Sequence, residues 1–251
     1  MLALALDFDG VICDSAAEIR ATALDAWAGL FPASDLSPRM QHNPRMNDEL
    51  TRLIPLGNRA EDFGVALHIL DESMQVSNQS DYDRVRCSLG RTWLERFHRA
   101  FYAARHRRRA AAPQSWFDLH TTYEPFVEVL RRRHGEVPFA IVTAKDRTSV
   151  AMLLEQFGCS TLFPPDLILD KQTGVRKTAH LKALAERLRI SVATITFVDD
   201  KVNHLAATAP LGIRPVLAGW GHNTRREHDE ARAAGFAVAQ LDTAETVIFD
   251  S

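Results

Sequence analysis

Cysteine is scarce in this chain of 251 residues: Cys13, Cys87 and Cys159 are odd in number and widely scattered. That excludes a disulfide framework and a cysteine-rich metal site. Cys13 reads as a small buried hydrophobe rather than a reactive thiol. No apolar run is long enough to form a bilayer-spanning helix. No basic residue precedes the first apolar stretch, and that stretch meets Asp7 too soon for a signal peptide, so a cytoplasmic location without a membrane partner is expected. A basic excess is missing too. The formal net charge of -2 argues against a general nucleic-acid partner. Two local basic runs, Arg107 to Arg109 and Arg131 to Arg133, fall near the ends of helical patterns, where cations favour the helix dipole. Internal repeats and low-complexity tracts are absent, and nothing in the sequence specifies an oligomeric state.

What is present is concentrated at the start. Met1 to Asp14 reads MLALALDFDGVICD. The run Leu2 to Leu6 fits a strand of a parallel sheet buried on both faces. Residues two apart on a strand share a side, so Asp7 and Asp9 are expected together where it ends, with Gly10 turning the backbone just beyond. Two ionised carboxylates repel, and one pKa rises unless a cation neutralises the pair. A hard divalent ion with oxygen ligands, Mg2+, answers that need.

Ser15 followed by Glu18 reads as a capping box, with Ile19, Ala23, Trp27 and Leu30 at helical spacing behind it. Pro32 to Pro55 holds four prolines and reads as irregular, with at most short helical turns. Phe63, Leu67, Leu70 and Met74 share one helical face. Val85, Leu89, Trp93, Phe97 and Phe101 form the core stripe of a long helix from about Asp81 to Arg109, and Ala110 to Pro113 looks like its exit. From there helices and strands alternate. Strands are expected at Phe139–Thr143, Leu167–Leu169, Thr194–Val198 and Arg214–Leu217, with helices at Pro125–Gly135, Val150–Phe157 and Thr178–Leu188. Such alternation means a Rossmann-like parallel sheet with helices on both faces, an α/β fold. The opening strand needs that sheet, so the helical block is an insertion. The expected organisation is a core of residues 1–14 and 115–251 with an all-helical domain of residues 15–114.

Ligands of open parallel sheets bind beyond the carboxyl ends of the strands. Asp7 and Asp9 stand at one such end. Thr143, Ala144 and Lys145 stand at the next, Lys177 at a helix start, and Asp199 with Asp200 at a third strand end. Carboxylates suit a metal. A hydroxyl, a lysine and backbone N–H groups suit a phosphate, and together they suit phosphoryl transfer.

In this order, DFDGVICDS, IVTAKD, the lysine of GVRKTAHL and FVDDKVNH resemble the four motifs of the haloacid dehalogenase superfamily. The helical block resembles the cap that the superfamily inserts between its first two motifs, which would set specificity by closing over the site. The resemblance implies that Asp7 is the nucleophile and becomes an aspartyl-phosphate, and that Asp9 is the general acid and then the base. It makes Thr143, with Ala144, the phosphate contact and Lys177 the residue that steadies nucleophile and phosphate. It gives Mg2+ to Asp7, the backbone carbonyl of Asp9, Asp199 and Asp200, with Asp200 favoured over Asp199 as a direct ligand. Two departures stand out. Glu124-Pro125-Phe126 replaces a common proline-glycine pair, and His204 stands where the family often has an aspartate; it is read either as a donor substituting for that aspartate or as an ordinary helix residue, with the latter favoured. Lys145 is assigned no role. The implied activity is a Mg2+-dependent phosphatase acting on a small phosphorylated metabolite. Alternatives left open are a phosphomutase, a haloacid or phosphonate hydrolase, and a non-catalytic binding protein of the same fold. Asp9 argues against the haloacid and phosphonate activities, and so does the absence of any lysine from Ser15 to Gln114.

Overall fold

The computed structural model describes residues 1–57, 59–174 and 176–250. Val175, inside the GVRKTAHL stretch, lies outside them. The chain forms two compact units, one of Ala16–His120 and one of Met1–Ser15 with Thr121–Ser251.

The first unit is helical: α1 (Ala16–Leu30), α2 (Leu36–His42), α3 (Pro44–Leu53), α4 (Ala60–Asp71), α5 (Gln79–Ala111) and α6 (Pro113–Phe117). Trp27, Leu53, Leu67, Phe97 and Phe101 are buried at its centre, with Leu89 and Trp93 half-buried against them. The aromatic stripe of α5 is therefore core, as its four-residue spacing predicts. Gly64 of α4 lies directly on the Phe97 ring, where a Cβ would come within 2.4 Å of it.

Several expectations fail here for local reasons. The proline-rich segment is largely α2 and α3, because its prolines sit where a helix tolerates them. Pro38 occupies the first turn of α2 and Pro44 the first position of α3, where the backbone N–H has no helical partner to lose. The Asn43 side chain caps α3 by accepting from Arg45 N. Second, α5 is broken at Gly90, whose φ of 74° is left-handed, so the continuous pattern is carried by two helical runs. The exit expected at Ala110–Pro113 is instead the junction with α6, and the unit extends to His120. Third, the capping box is incomplete. Ser15 Oγ is buried without a hydrogen-bond partner, and Glu18 points to Arg105, whose Nε and Nη2 donate to its two carboxylate oxygens at 2.8 and 2.7 Å. Met74 falls beyond the end of α4 and is exposed.

Among its described residues the second unit holds eight strands: β1 (Ala3–Leu6), β2 (Cys13–Asp14), β3 (Thr121–Thr122), β4 (Phe139–Val142), β5 (Ile168–Leu169), β6 (Ile195–Asp199), β7 (Arg214–Ala218) and β8 (Ala237–Ala239). Its helices are α7 (Glu124–Arg132), α8 (Arg147–Gln156), α9 (Lys177–Leu188), α10 (Val202–Thr208), α11 (Arg225–Ala233) and α12 (Ala244–Phe249). Six strands form a parallel sheet in the order β5-β4-β1-β6-β7-β8, while β2 and β3 pair separately and antiparallel. β1 lies between β4 and β6, with Leu4 opposite Phe139 on one side and Thr196 on the other. That explains why Ala3 to Leu6 carry no polar side chain: all four are fully buried. From β1 the sheet grows both ways, which creates a switch point at its carboxyl end. The fold is the expected α/β arrangement with a helical insertion.

Candidate active site

Asp7 leaves the end of β1 while still in the ladder, its N–H donating to Val198 O at 2.9 Å. Its carboxylate is buried. Oδ1 accepts from Phe8 N at 2.7 Å, and Oδ2 lies 2.7 Å from Lys177 Nζ. Lys177 opens α9, an end where the helix dipole disfavours a cation. Its ammonium is held there by other means: it donates to Val142 O at 2.6 Å and lies 3.3 Å from Asp199 Oδ2. Asp199, the last residue of β6, is wholly buried. It also accepts from Lys201 N at 2.9 Å, and His204 Nδ1 lies 3.1 and 3.0 Å from its two oxygens. His204 is thus a residue of α10 that also clasps Asp199, the less favoured of its two readings.

Burial pushes the Asp7 carboxyl up to about 7; Lys177 and His204 oppose the rise, and Asp199 and Asp200 add to it. The carboxylates that add to the rise, Asp199 and Asp200, stand at the end of the neighbouring strand β6. Burial works against the charge on Asp199 as well, but His204 and Lys177 outweigh it and hold this carboxyl far below the usual range. Burial likewise opposes the Lys177 ammonium, and Asp7 and Asp199 overcome it, leaving its pKa raised.

Asp9 faces a different lysine. Its Oδ1 lies 2.8 Å from Lys145 Nζ, and its side chain is partly open to solvent. Gly10 follows with φ of 82°, and a Cβ there would stand 2.2 Å from Asp200 Oδ2. Both the turn and the close approach of Asp200 require glycine. Thr143 is buried just past β4; its N–H donates to Leu169 O at 2.9 Å and its Oγ1 accepts from Lys145 N at 3.1 Å. Ala144 beside it is exposed at the same strand end.

Asp200 is anchored by a loop that the sequence reading did not single out. His222 N donates to its Oδ2 at 2.9 Å, and Asn223 Nδ2 to its backbone oxygen at 3.1 Å. Gly221 closes against it, since a Cβ there would meet Asp200 Cβ at 2.4 Å. The two glycines flanking Trp220, just after a strand end, were the only local signal of this loop.

The structure therefore gathers Asp7, Lys177, Asp199 and His204 into direct contact. Asp9 is joined to Lys145, and Asp200 to the His222 loop. Asp7, Asp199 and His204 each offer a metal-ligating atom, all within 4.8 Å of one another. Lys177 already neutralises the Asp7–Asp199 edge of that group. Burial, which raises the Asp7 carboxyl, leaves its anion disfavoured there, and buried carboxylate oxygens of this kind fit a hard divalent cation.

Comparison with known proteins gives the family. The model of the haloacid dehalogenase-like hydrolases matches residues 1–212. No curated protein matches. Among solved structures, a haloacid dehalogenase-like hydrolase from Streptococcus pneumoniae superposes with a TM-score of 0.64 at 12% identity, over 100% of this chain and 99% of that one. A protein from Clostridium acetobutylicum described as a predicted phosphatase gives 0.63 at 14% identity, over 100% and 99%. One from Haemophilus somnus described as a predicted phosphoglycolate phosphatase gives 0.61 at 16%, over 96% and 95%. At such identities these likenesses speak for the fold alone, and the match of the family model over most of the length carries the assignment: this chain belongs to the haloacid dehalogenase-like hydrolases.

Proposed function

We propose that the protein is a Mg2+-dependent phosphatase that hydrolyses a small phosphorylated metabolite through a phosphoenzyme on Asp7. The helical unit takes the part of the family's cap. The observation that carries this reading is the buried Asp7 carboxylate at the end of the central strand, clamped by Lys177 against Asp199. A structural salt bridge has no need of a third and fourth carboxylate beside it. Neighbours of the same fold that are described as phosphatases agree with the reading.

In this mechanism Asp7 Oδ2 attacks phosphorus, and the ester oxygen departs with a proton from the Asp9 carboxyl. Asp9 then takes a proton from water, which attacks the phosphorus of the aspartyl-phosphate and returns Asp7 and inorganic phosphate. Lys177 keeps Asp7 aligned and faces the incoming charge, and Thr143 with the Ala144 backbone holds phosphate oxygens. Asp7, the backbone carbonyl of Asp9, and Asp200 with Asp199 behind it would hold Mg2+, which supplies the positive charge that lets an anionic nucleophile meet an anionic phosphate.

The test is phosphate release from a panel of phosphorylated metabolites and an aryl phosphate, with and without Mg2+, for the wild type and Asp7→Asn. The expected result is release that requires Mg2+ and vanishes in the variant. Full release in chelator, or an unchanged rate in Asp7→Asn, would overturn the reading.

A further inference from the structure

Lys145 is buried with its side chain wholly inaccessible, yet it takes no part in the Asp7–Lys177–Asp199 cluster. An ammonium withdrawn from water is costly unless it is paired. Its partner is Asp9 Oδ1 at 2.8 Å, a contact between residues 136 apart in the chain, and the Phe8 ring centroid lies 6.0 Å from Nζ. The lysine is fixed at its base. Its N–H donates to Thr143 Oγ1, and the next residue, Asp146, caps α8 by accepting from Ser149 N at 3.0 Å. The Asp9 side chain is 25% exposed, on a turn that ends in the left-handed Gly10.

A buried cation holding a partly exposed carboxylate is the arrangement expected of a group that aims another. We propose that Lys145 is a positioning residue for Asp9, setting its carboxyl toward the leaving-group oxygen. The proposal rests on the acid–base reading of Asp9. It differs from a role in phosphate binding, which would act alike on every ester, and from a role in folding, which would not distinguish leaving groups at all.

The test compares an alkyl phosphate, whose leaving oxygen needs a proton, with p-nitrophenyl phosphate, whose leaving group does not. Wild type, Lys145→Met, Asp9→Asn and the double variant are assayed, with melting temperatures as a check on folding. Lys145→Met should lower kcat for the alkyl ester by about ten- to a hundredfold, part of what a general acid contributes, with little change for the aryl ester or in either KM. In the Asp9→Asn background it should cost nothing further, because residues that act as a unit are not additive. Equal losses for the two esters in Lys145→Met, or losses that multiply in the double variant, would overturn the proposal. Equal losses in Asp9→Asn alone would overturn the acid–base reading itself, and the proposal with it. Should Lys145→Met fail to fold, Lys145→Ala is assayed with propylamine filling the space. Alkyl-ester turnover should recover with added amine, and no recovery in a folded Lys145→Ala would overturn the proposal.

Discussion

The two units bury charge in opposite ways. In the helical unit Glu18 and Arg105 meet in a two-pronged pair, both nearly inaccessible, with Thr22 Oγ1 adding a hydrogen bond at 2.8 Å to Glu18 Oε1. Each oxygen of the carboxylate has its own guanidinium donor. In the α/β unit Asp7, Asp199 and Asp200 crowd one strand-end region with Lys177 and His204 set against them, and the Asp7 pKa stays raised. The first arrangement holds helices together. The second leaves Asp7 an anion that burial disfavours, which a bound cation would offset. Buried charge that its surroundings leave disfavoured, rather than buried charge as such, marks a candidate functional site.

Breaking each arrangement should produce a different loss. The largest belongs to Asp7→Asn, which should lower turnover by at least about a thousandfold, as removal of a nucleophile does, while circular dichroism remains that of the wild type. Arg105→Met comes next. It strands the buried Glu18 carboxylate and should cost about 3–5 kcal/mol in denaturant unfolding, whereas the double variant with Glu18→Gln should regain much of that. A third experiment sharpens the contrast through pH. The folded Asp7 carboxyl, at about 7, lies above its ordinary value of 3.8. Its contribution to stability is therefore complete below that ordinary value and is lost as pH rises to about 7. In EDTA, the melting temperature of the wild type should fall relative to Asp7→Asn between about pH 4 and pH 7; parallel curves would contradict the shift. The smallest effect belongs to Gly90→Ala. A Cβ there meets nothing within 4 Å, so only the left-handed backbone opposes it, and the loss should be about 1 kcal/mol in denaturant unfolding.

β1, β4 and β5 were legible as uninterrupted apolar runs followed at once by a polar residue, Asp7, Thr143 or Asp170, and the sheet is built outward from β1. β8 went unseen because Ala237–Ala239 is three residues long and two of them are alanine. The helices α2 and α3 went unseen because proline was weighed by number and not by its position in the turn. At the site, Asp7, Asp9, Lys177, Asp199 and Asp200 could be read because each ends a strand or starts a helix. The pairing of Asp9 with Lys145, and the hold of His222 on Asp200, could not. Those contacts join residues 136 and 22 apart, and only the tertiary fold brings them into reach.

The central place of β1 also bears on how the chain reaches its structure. During synthesis Ala3–Leu6 emerge well before either neighbouring strand; the pairing with Phe139–Ile141 waits for one, and that with Ile195–Val198 for the other. At ordinary rates of translation the second delay is about ten seconds or more. The helical unit, continuous from Ala16 to His120, can condense in that interval from contacts close in sequence. The nascent chain thus carries an apolar four-residue strand with both hydrogen-bonding edges open, a natural target for a chaperone until Ile195 has left the ribosome.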